Sequence, residues 1–324
     1  MLKPPSSINS LFNPALNNKL FQETFSSRPI KVVAPASGTS PEKMEQLQLL
    51  PHLTLVIPPK IMSQDILFHA NNDEERFEQL RTALYDESNK TIIWTLRGGY
   101  GSARLINQLS TLPPPKHEKI FIGFSDNTAL HLFLSQQWHW QSIHAAGLAE
   151  LLDPAQDPQN YIRIAEIITY GLPSQSIDNL KPLNISALKA NPIKGYLTGG
   201  NLTLVESSIG TPWQIQTATK ILFLEEVGEK GYRIDRSLNH LRQAGLLKEV
   251  KAIIFGEFIT KIKDKGVKIA LERFAKETTM PIYQTDQFGH GKMNYPLIYN
   301  TVAEITPTHH QYYDLKMHPR SIIK

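Results

Sequence analysis

The sequence predicts an α/β fold in two domains, the first of them built on a parallel β-sheet. Short apolar runs alternate with segments of helical periodicity through the first half of the chain. Strand–helix alternation of this kind is typical of a parallel sheet with helices on both faces. The length of 324 residues is large for a single hydrophobic core. A stretch with three prolines and few apolar residues, 171–192, then separates the two halves.

The elements of the first half follow one another in a regular order. Apolar runs that end in turn residues indicate four strands, at 30–35, 53–58, 91–96 and 120–124. Helices are predicted over 41–50 and from Asp73, which we expect to cap a charged helix. Parallel sheets bind ligands outside the carboxyl ends of their strands. Two loops at those ends have an unusual composition, RGGYGS (97–102) and GFSD (123–126).

The proline-containing stretch sets the predicted domain boundaries. We expect an N-terminal domain over 1–170, a connection over 171–192 and a C-terminal domain over 193–324. The C-terminal domain contains both strand and helix patterns. Its predicted strands are 221–224, 252–256 and 301–305, and its predicted helices are 235–244 and 267–276.

Composition excludes several classes of function. The formal charge is +4, but basic and acidic residues are interspersed, so we expect no nucleic-acid partner. The absence of cysteine excludes disulfides, thiolate metal sites and a cysteine nucleophile. No apolar run approaches the roughly 20 residues of a membrane span, and the N-terminus does not resemble a signal peptide. We therefore expect a cytoplasmic protein without a membrane partner.

Ser125 lies where the hydrophobic period changes from that of a strand to that of a helix. Before it the apolar residues are crowded, and after it they fall at helical spacing. A serine at a sharp strand-to-helix turn presents its hydroxyl above the sheet, which is the geometry of a nucleophile elbow. Gly123 permits a close approach of strand and helix, whereas Asn127 replaces the second glycine of the usual motif. The alternative is that Ser125 or Asp126 only caps the helix.

A serine nucleophile also requires a base and a group that orients the base. His290 stands between two glycines in FGHGKMN, where the ring could project into a cleft or belong to a mobile surface loop. Glu225 and Glu226 end an apolar strand, where a buried carboxylate requires a partner. Strand alternation places the two carboxylates on opposite sides but does not decide which of them faces the site. A solvated strand end is the alternative.

Five segments together resemble the LD-carboxypeptidase family of serine peptidases, which also includes the microcin C immunity peptidases. They are RGGYGSARLI, GFSDNTAL, GGNLTLVESSIGTP, LFLEEVGEKGYRIDRSLNHL and FGHG, in the order of the family and within 30–305. The resemblance implies that Ser125 is the nucleophile, Glu225 the orienting acid and His290 the base. It also implies an N-terminal domain like the class I glutamine amidotransferases, a mixed β-rich C-terminal domain, a site where the two domains meet, and a homodimer.

The same resemblance implies removal of the terminal D-alanine from murein tetrapeptides, at its bond to an L-centre, in cell-wall recycling. The backbone N–H groups of Asp126, Gly98 and Gly99 would bind the oxyanion of an acyl-enzyme mechanism. No metal or organic cofactor is expected. Candidate substrate-binding residues are Arg233 and Arg236, for the terminal carboxylate, and Tyr100 of the glycine loop.

Three alternatives and one departure from the family pattern accompany this interpretation. A microcin C immunity peptidase would stack an aromatic residue on adenine, for which Trp213 is the candidate. A non-catalytic relative should have lost a triad residue, and all three are present. A phosphate-binding role for RGGYGS lacks the lysine of a P-loop. After the histidine the family usually has a Leu-Pro-x-Gly turn, whereas NYPLIYN (294–300) follows here.

Overall fold

A computed structural model describes residues 12–63, 68–171, 176–260, 264–308 and 311–320, and these form two compact units. The first unit contains the described residues up to Asn127 together with Ile143–Gly171. The second contains Thr128–Ser142 and the described residues from 176 to Arg320. Within these ranges no helix is long and apolar enough to cross a membrane.

Five parallel strands form the sheet of the first unit, in the order β5-β4-β3-β1-β2. Strands β3 and β4 are buried along their whole length, as expected for the centre of a sheet covered on both faces. Their shared direction places the loops after β1, β3 and β4 at one edge of the sheet. The strands are β1 (Pro29–Val33), β2 (Thr54–Val56), β3 (Ile92–Thr95), β4 (Ile120–Gly123) and β5 (Ile143–His144).

Helices α1, α2 and α3 of the first unit begin at polar N-cap side chains, Asn18, Ser40 and Asn72. Asn72, and not Asp73 as predicted, caps α3, because its side chain accepts the Glu75 N–H at 2.8 Å while Asp73 is the first helical residue. The helices are α1 (Lys19–Ser26), α2 (Pro41–Gln48), α3 (Asp73–Leu84), α4 (Ile106–Leu109) and α6 (Gln159–Tyr170), with short 3₁₀ helices at Pro14–Asn17, Ser102–Leu105, Ser125–Asn127 and Leu148–Leu152.

The second unit is a closed barrel of seven strands in the order β10-β6-β13-β12-β7-β8-β9. The neighbours from β7 through β8 and β9 to β10 are parallel, and the remaining pairs are antiparallel. Closure leaves no unpaired sheet edge. The strands are β6 (Ser176–Pro182), β7 (Ile193–Asn201), β8 (Lys220–Val227), β9 (Ala252–Ile259), β10 (Ile282–Gln284), β12 (Val302–Pro307) and β13 (Tyr313–His318); β11 (Leu297–Ile298) is a further two-residue strand.

Five helices belong to the second unit: α5 (Thr128–Gln137), α7 (Ile185–Leu188), α8 (Leu202–Ser207), α9 (Gly231–Gln243) and α10 (Lys265–Glu277). The segment 171–192, predicted as a connection, contains β6 and α7. Its prolines and polar residues suit short strands and turns, so composition alone does not separate it from a linker.

The expected α/β fold is confirmed, with a parallel sheet in the first unit and a mixed, β-rich second unit. The likeness of the first unit to the class I glutamine amidotransferases stays a prediction.

Candidate active site

Ser125 has a backbone φ of 60°, in the left-handed region that non-glycine residues rarely occupy. This conformation costs roughly 1–2 kcal/mol, and it differs from the extended conformation of an N-cap residue. The turn is tight at Gly123. A Cβ added there would lie 2.6 Å from Thr95 Oγ1 and 3.3 Å from the Asn127 Cβ. Backbone strain at a serine between a strand and a helix is the geometry of a nucleophile elbow.

The glycine loop after β3 packs directly on Ser125. A Cβ at Gly98 would lie 2.6 Å from the Ser125 Cβ and 2.8 Å from its Oγ, so only glycine allows this approach. Ser37 fixes the loop, because its N–H donates to the Gly98 carbonyl at 3.3 Å and its Oγ accepts the Tyr100 N–H at 3.1 Å. The backbone of the glycine loop therefore borders the serine hydroxyl.

Three backbone N–H groups in this region are candidates for an oxyanion hole. In the part of the chain that the structure describes, the N–H groups of Gly98, Gly99 and Asp126 donate to no protein acceptor. Asn127 occupies the place of the second glycine of the usual motif. Its Nδ2 donates to the carbonyls of Arg97, at 3.2 Å, and Phe124, at 3.1 Å, so it ties the serine turn to the loop.

His290 and Glu225 form a hydrogen-bonded pair within the second unit. His290 Nδ1 lies 2.6 Å from Glu225 Oε2. Glu225 is 0% exposed, and the histidine side chain is 15% exposed. In the neutral ring Nδ1–H donates to the carboxylate, which leaves the lone pair on Nε2, so the imidazole can act as a base through Nε2.

Glu226 has a different role from its neighbour. Its carboxylate accepts hydrogen bonds from Asn201 Nδ2 at 3.1 Å, from the Thr203 N–H at 2.9 Å and hydroxyl at 2.7 Å, and from the Val227 N–H at 2.8 Å. Burial raises the pKa of Glu226, and its hydrogen bonds oppose that shift. The alternative of a solvated strand end is wrong for both carboxylates, since neither is exposed. Glu226 holds the start of α8, whereas Glu225 faces the histidine.

The glycines on both sides of His290 make room for Glu257 of β9. A Cβ at Gly291 would lie 1.4 Å from Glu257 Oε2, and one at Gly289, where φ is 128°, would lie 3.2 Å from the Glu257 Cβ. Burial raises the pKa of Glu257, as do the nearby carboxylates of Asp286 and Glu225. Glu257 is not among the residues predicted from the sequence, where the Gly-His-Gly pattern is its local signal.

The segment NYPLIYN (294–300), which departs from the usual family sequence, makes hydrogen bonds that hold the turn carrying His290. Asn294 Oδ1 accepts the Gly289 N–H at 3.2 Å, and the Tyr295 N–H donates to the Gln287 carbonyl at 2.8 Å. The turn that carries His290 is therefore held by its own following segment without the usual Leu-Pro-x-Gly sequence.

The predicted substrate-binding side chains lie on the surface of their own units. Arg233 Nη1 is 3.2 Å from Glu229 Oε2, and the Arg236 guanidinium lies 5.9 Å from the centre of the Tyr232 ring. Each arginine therefore has a contact with a neighbouring residue of its own helix or of the loop before it. Tyr100 is 54% exposed and stacks on His69 at a ring distance of 5.3 Å.

Two further expectations concern other ligands. Trp213 is buried, so its ring does not offer an exposed face for stacking on a base. Among the described residues no group of three or more His, Asp or Glu side chains could hold a metal ion.

Comparison with known families matches both halves of the chain. Residues 30–145 match the model of the LD-carboxypeptidase N-terminal domain, and residues 194–305 match that of the LD-carboxypeptidase C-terminal domain. Together the two models cover more than half of the sequence, and the first of them contains the glycine loop and Ser125.

Individual relatives agree with the family models. A Rickettsia conorii protein, whose name is a provisional carboxypeptidase assignment, is 50% identical over 85% of this chain and 87% of its own. The murein tetrapeptide carboxypeptidase of Pseudomonas aeruginosa is 30% identical over 85% of this chain and 92% of its own.

Solved structures show the same fold. The muramoyltetrapeptide carboxypeptidase of Oxalobacter formigenes has a TM-score of 0.74 at 23% identity, covering 90% of this chain and 100% of that one. The microcin C7 self-immunity protein MccF has a TM-score of 0.72 at 16% identity, covering 90% of this chain and 96% of that one. At these identities the likeness supports the fold alone. The matched domain models and the curated relatives show that the chain belongs to the LD-carboxypeptidase family.

Proposed function

We propose that the protein is a serine carboxypeptidase that removes the terminal D-alanine from murein tetrapeptides, at its bond to an L-centre. The observation that carries this proposal is the buried Glu225–His290 pair, in which Glu225 Oε2 and His290 Nδ1 are 2.6 Å apart. A carboxylate buried against an imidazole orients the ring and stabilises its protonated form. Relatives named as murein peptide carboxypeptidases support the choice of substrate.

Ser125 is the proposed nucleophile, and His290 the general base. In the first step Ser125 Oγ attacks the carbonyl carbon of the L-centre while His290 takes the hydroxyl proton. The tetrahedral intermediate collapses, the C–N bond to D-alanine breaks, and the imidazolium gives its proton to the leaving amine. Water then attacks the ester with His290 again as base, which releases the shortened peptide and restores the serine.

The oxyanion of each tetrahedral intermediate is proposed to bind the N–H groups of Gly98, Gly99 and Asp126. Their lack of protein acceptors in the described structure supports this assignment, since an oxyanion hole consists of donors already in place. Arg233 and Arg236 stay candidates for the carboxylate of the leaving D-alanine, and Tyr100 for contact with the peptide.

Mass spectrometry of murein tri-, tetra- and pentapeptides after incubation with the protein tests the proposal. We expect the tetrapeptide to lose one alanine and the pentapeptide ending in D-Ala-D-Ala to react poorly. Inverting the centre that bears the scissile carbonyl misplaces that carbonyl, and an error of about 1 Å can cost about 10²-fold. Equal loss of alanine from both peptides would contradict the LD assignment.

An aminoacyl-nucleotide amide belongs in the same assay as a competing substrate, because the microcin C immunity peptidases are the alternative. Faster cleavage of that amide than of the tetrapeptide would reassign the protein. The proposed role in cell-wall recycling requires a cytoplasmic location, which fractionation of cells tests. The expected homodimer is tested by light scattering during size-exclusion chromatography.

A further inference from the structure

We infer that the side chain of Asp126 is a positioning residue, which holds the glycine loop in register with the serine turn. The inference rests on the proposed function only in that Ser125 is the nucleophile and the loop supplies oxyanion donors. The role proposed above for Asp126 in the mechanism uses only its backbone N–H group and does not involve its carboxylate.

The carboxylate is buried and bonded to the end of the glycine loop. Asp126 Oδ2 accepts the Ser102 N–H at 2.8 Å, and Ser102 Oγ donates to the Asp126 carbonyl at 2.5 Å. Asp126 is 3% exposed and Ser102 is 0% exposed. Two hydrogen bonds that Ser102 donates to Asp126 in a buried place fix both segments, because breaking either bond leaves a buried polar group unsatisfied.

Arg76 of α3 holds the same part of the loop from another side. Its Nη1 donates to the Gly101 carbonyl at 3.0 Å and also to the Pro35 carbonyl, and its Nε donates to the Asn71 carbonyl at 3.0 Å. Its Nη2 pairs with Asp73 Oδ1 at 2.5 Å. The loop therefore ends in a buried cluster that contains a cation and a carboxylate.

Three consecutive residues of the serine turn thus contact the glycine loop. Ser125 packs on Gly98, the Asp126 carboxylate accepts the Ser102 N–H, and the Asn127 amide donates to the Arg97 carbonyl. These contacts fix the loop at its start and its end relative to the nucleophile. Because a catalytic group misplaced by about 1 Å can cost about 10²-fold in rate, the Asp126 contact should matter for turnover.

The charges around Asp126 make the contact sensitive to its protonation. Burial raises the pKa of Asp126, while hydrogen bonds from Ser102 and Gly101 and the charge of Arg76 lower it. Other titratable groups lie near Arg76. Burial and the charge of Arg76 lower the pKa of His69. Asp73 and Arg104 pair with each other 2.5 Å apart. A protonated carboxyl group is a poorer acceptor for an N–H, so the contact weakens as Asp126 takes up a proton.

Asp126→Asn is the decisive variant, with Asp86→Asn as the matched control. Asp86 is also a hydrogen-bonded carboxylate of the first unit, but its partners are Lys31, Thr91 and Ser88. Two readouts apply to the full chain. The first is hydrogen exchange of the backbone amides in 97–102, measured by mass spectrometry. The second is the rate at which a fluorophosphonate reagent modifies Ser125, which reports on the oxyanion donors without requiring a murein substrate.

In Asp126→Asn we expect exchange in 97–102 to rise at least about tenfold and phosphonylation to slow by about 10–10²-fold. Asp86→Asn should change neither readout. Ser102→Ala keeps the N–H bond to the carboxylate and removes only the Oγ bond to the Asp126 carbonyl, so it should give a smaller change in the same direction. Asp126→Ala, which removes the carboxylate without placing an amide NH₂ against the Ser102 N–H, serves if Asp126→Asn does not fold. Unchanged exchange in 97–102, or faster exchange with unchanged phosphonylation, would overturn the inference.

Failure of the proposed function gives a different result. If the fluorophosphonate did not modify Ser125 in the native protein, the serine mechanism would be wrong, while hydrogen exchange would still decide whether Asp126 positions the loop.

Discussion

His290 Nδ1 lies 2.6 Å from Oε2 of Glu225, a carboxylate with no exposed surface. Burying a carboxylate costs several kcal/mol unless a partner compensates for the lost hydration. Here the partner is an imidazole, which in the proposed mechanism gains a proton during acyl transfer. The pair is thus arranged so that its attraction is greatest when the ring is charged, which occurs in the transition state.

Glu225→Gln should preserve the fold and lower kcat by about 10⁴-fold, as the comparable change does in a Ser-His-Asp enzyme. The amide can still bond to the ring, but it can select the wrong tautomer and does not stabilise the imidazolium. Steady-state kinetics with the tetrapeptide, together with circular dichroism, checks the prediction. Full activity in this variant would remove Glu225 from the mechanism.

Glu226→Gln should lower the stability of the fold and leave most of kcat, the reverse of what we expect for Glu225→Gln. All of the groups bonded to this carboxylate are donors, so an amide NH₂ would face one of them. We expect a loss of about 1–3 kcal/mol in the free energy of unfolding, but less than about tenfold in kcat. Urea unfolding and kinetics on the same preparations separate the two effects. A larger loss of kcat here than in Glu225→Gln would show that the family pattern is displaced by one residue.

Substitutions at Ser125 test both the backbone strain at this position and its role in catalysis. Both Ser125→Ala and Ser125→Gly should lower turnover by at least about 10⁴-fold, because each removes the proposed nucleophile. Since φ is 60° at this position, glycine should be more stable than alanine by about 1 kcal/mol. Urea unfolding of the two variants measures this difference. Equal stability would mean that the turn relaxes, and normal turnover of Ser125→Ala would remove Ser125 from the mechanism.

The parts of the fold that were predictable from sequence are those with local signals. Strands β3 and β4 are continuous apolar runs, and α9 and α10 have one apolar face, so period and length were sufficient. The closed barrel was not predictable, because β6 and β7 contain prolines, glycines and lysines in place of an apolar run. These strands are specified by pairing with distant segments.

The candidate site was likewise predictable from sequence only where the signal is local. Ser125 and His290 stand in short segments whose glycines and change of period are visible locally. The different roles of Glu225 and Glu226 were not visible locally. Strand alternation places the two side chains on opposite sides of the strand but does not say which side faces His290. Glu257, which approaches Gly291, lies where the register between β8 and β9 shifts after Leu224, and no local pattern indicates that shift.

Gly98→Ala tests the packing of the glycine loop on Ser125. The added Cβ would lie 2.6 Å from the Ser125 Cβ, so either the loop or the serine must move. We expect kcat to fall by about 10²-fold. Gly38→Ala is the control, because its Cβ would first meet the flexible side chain of Met62, at 3.0 Å. Similar losses in both variants would show that the effect is general to loop glycines.

Asp86 gives a prediction about the pH dependence of stability. Burial alone would raise its pKa, but Lys31, Thr91 and the Ser88 N–H outweigh burial and lower it to about 2. Since the pKa is about 3.9 in the unfolded chain, the stabilisation is complete above that pH and is lost as the pH falls toward 2. Asp86→Asn should therefore cost about 1 kcal/mol at neutral pH, and the difference from the native protein should vanish in acid. A difference independent of pH would contradict this.

Gly291→Ala tests whether Glu257 fixes the turn that carries His290. The φ of Gly291 is not in the left-handed region, so the substitution strains no backbone, but its Cβ would lie 1.4 Å from Glu257 Oε2. We expect kcat to fall by about 10–10²-fold as the turn moves, and Glu257→Ala in the same chain to restore most of it. Gly289→Ala, where φ is 128°, should not be rescued by Glu257→Ala, because its strain lies in the backbone.

A double-mutant cycle of Gly291→Ala and Glu257→Ala measures the coupling energy between the two residues. The two residues contact each other, so the coupling energy from kcat should be about 0.5–3 kcal/mol. Glu257→Ala alone should lower kcat by less than about tenfold, since it removes a carboxylate near His290 but leaves the hydrogen bond between His290 and Glu225. If Gly291→Ala lost the same activity with and without Glu257, the coupling would be zero, and the glycine would be required for a reason other than the approach of this carboxylate.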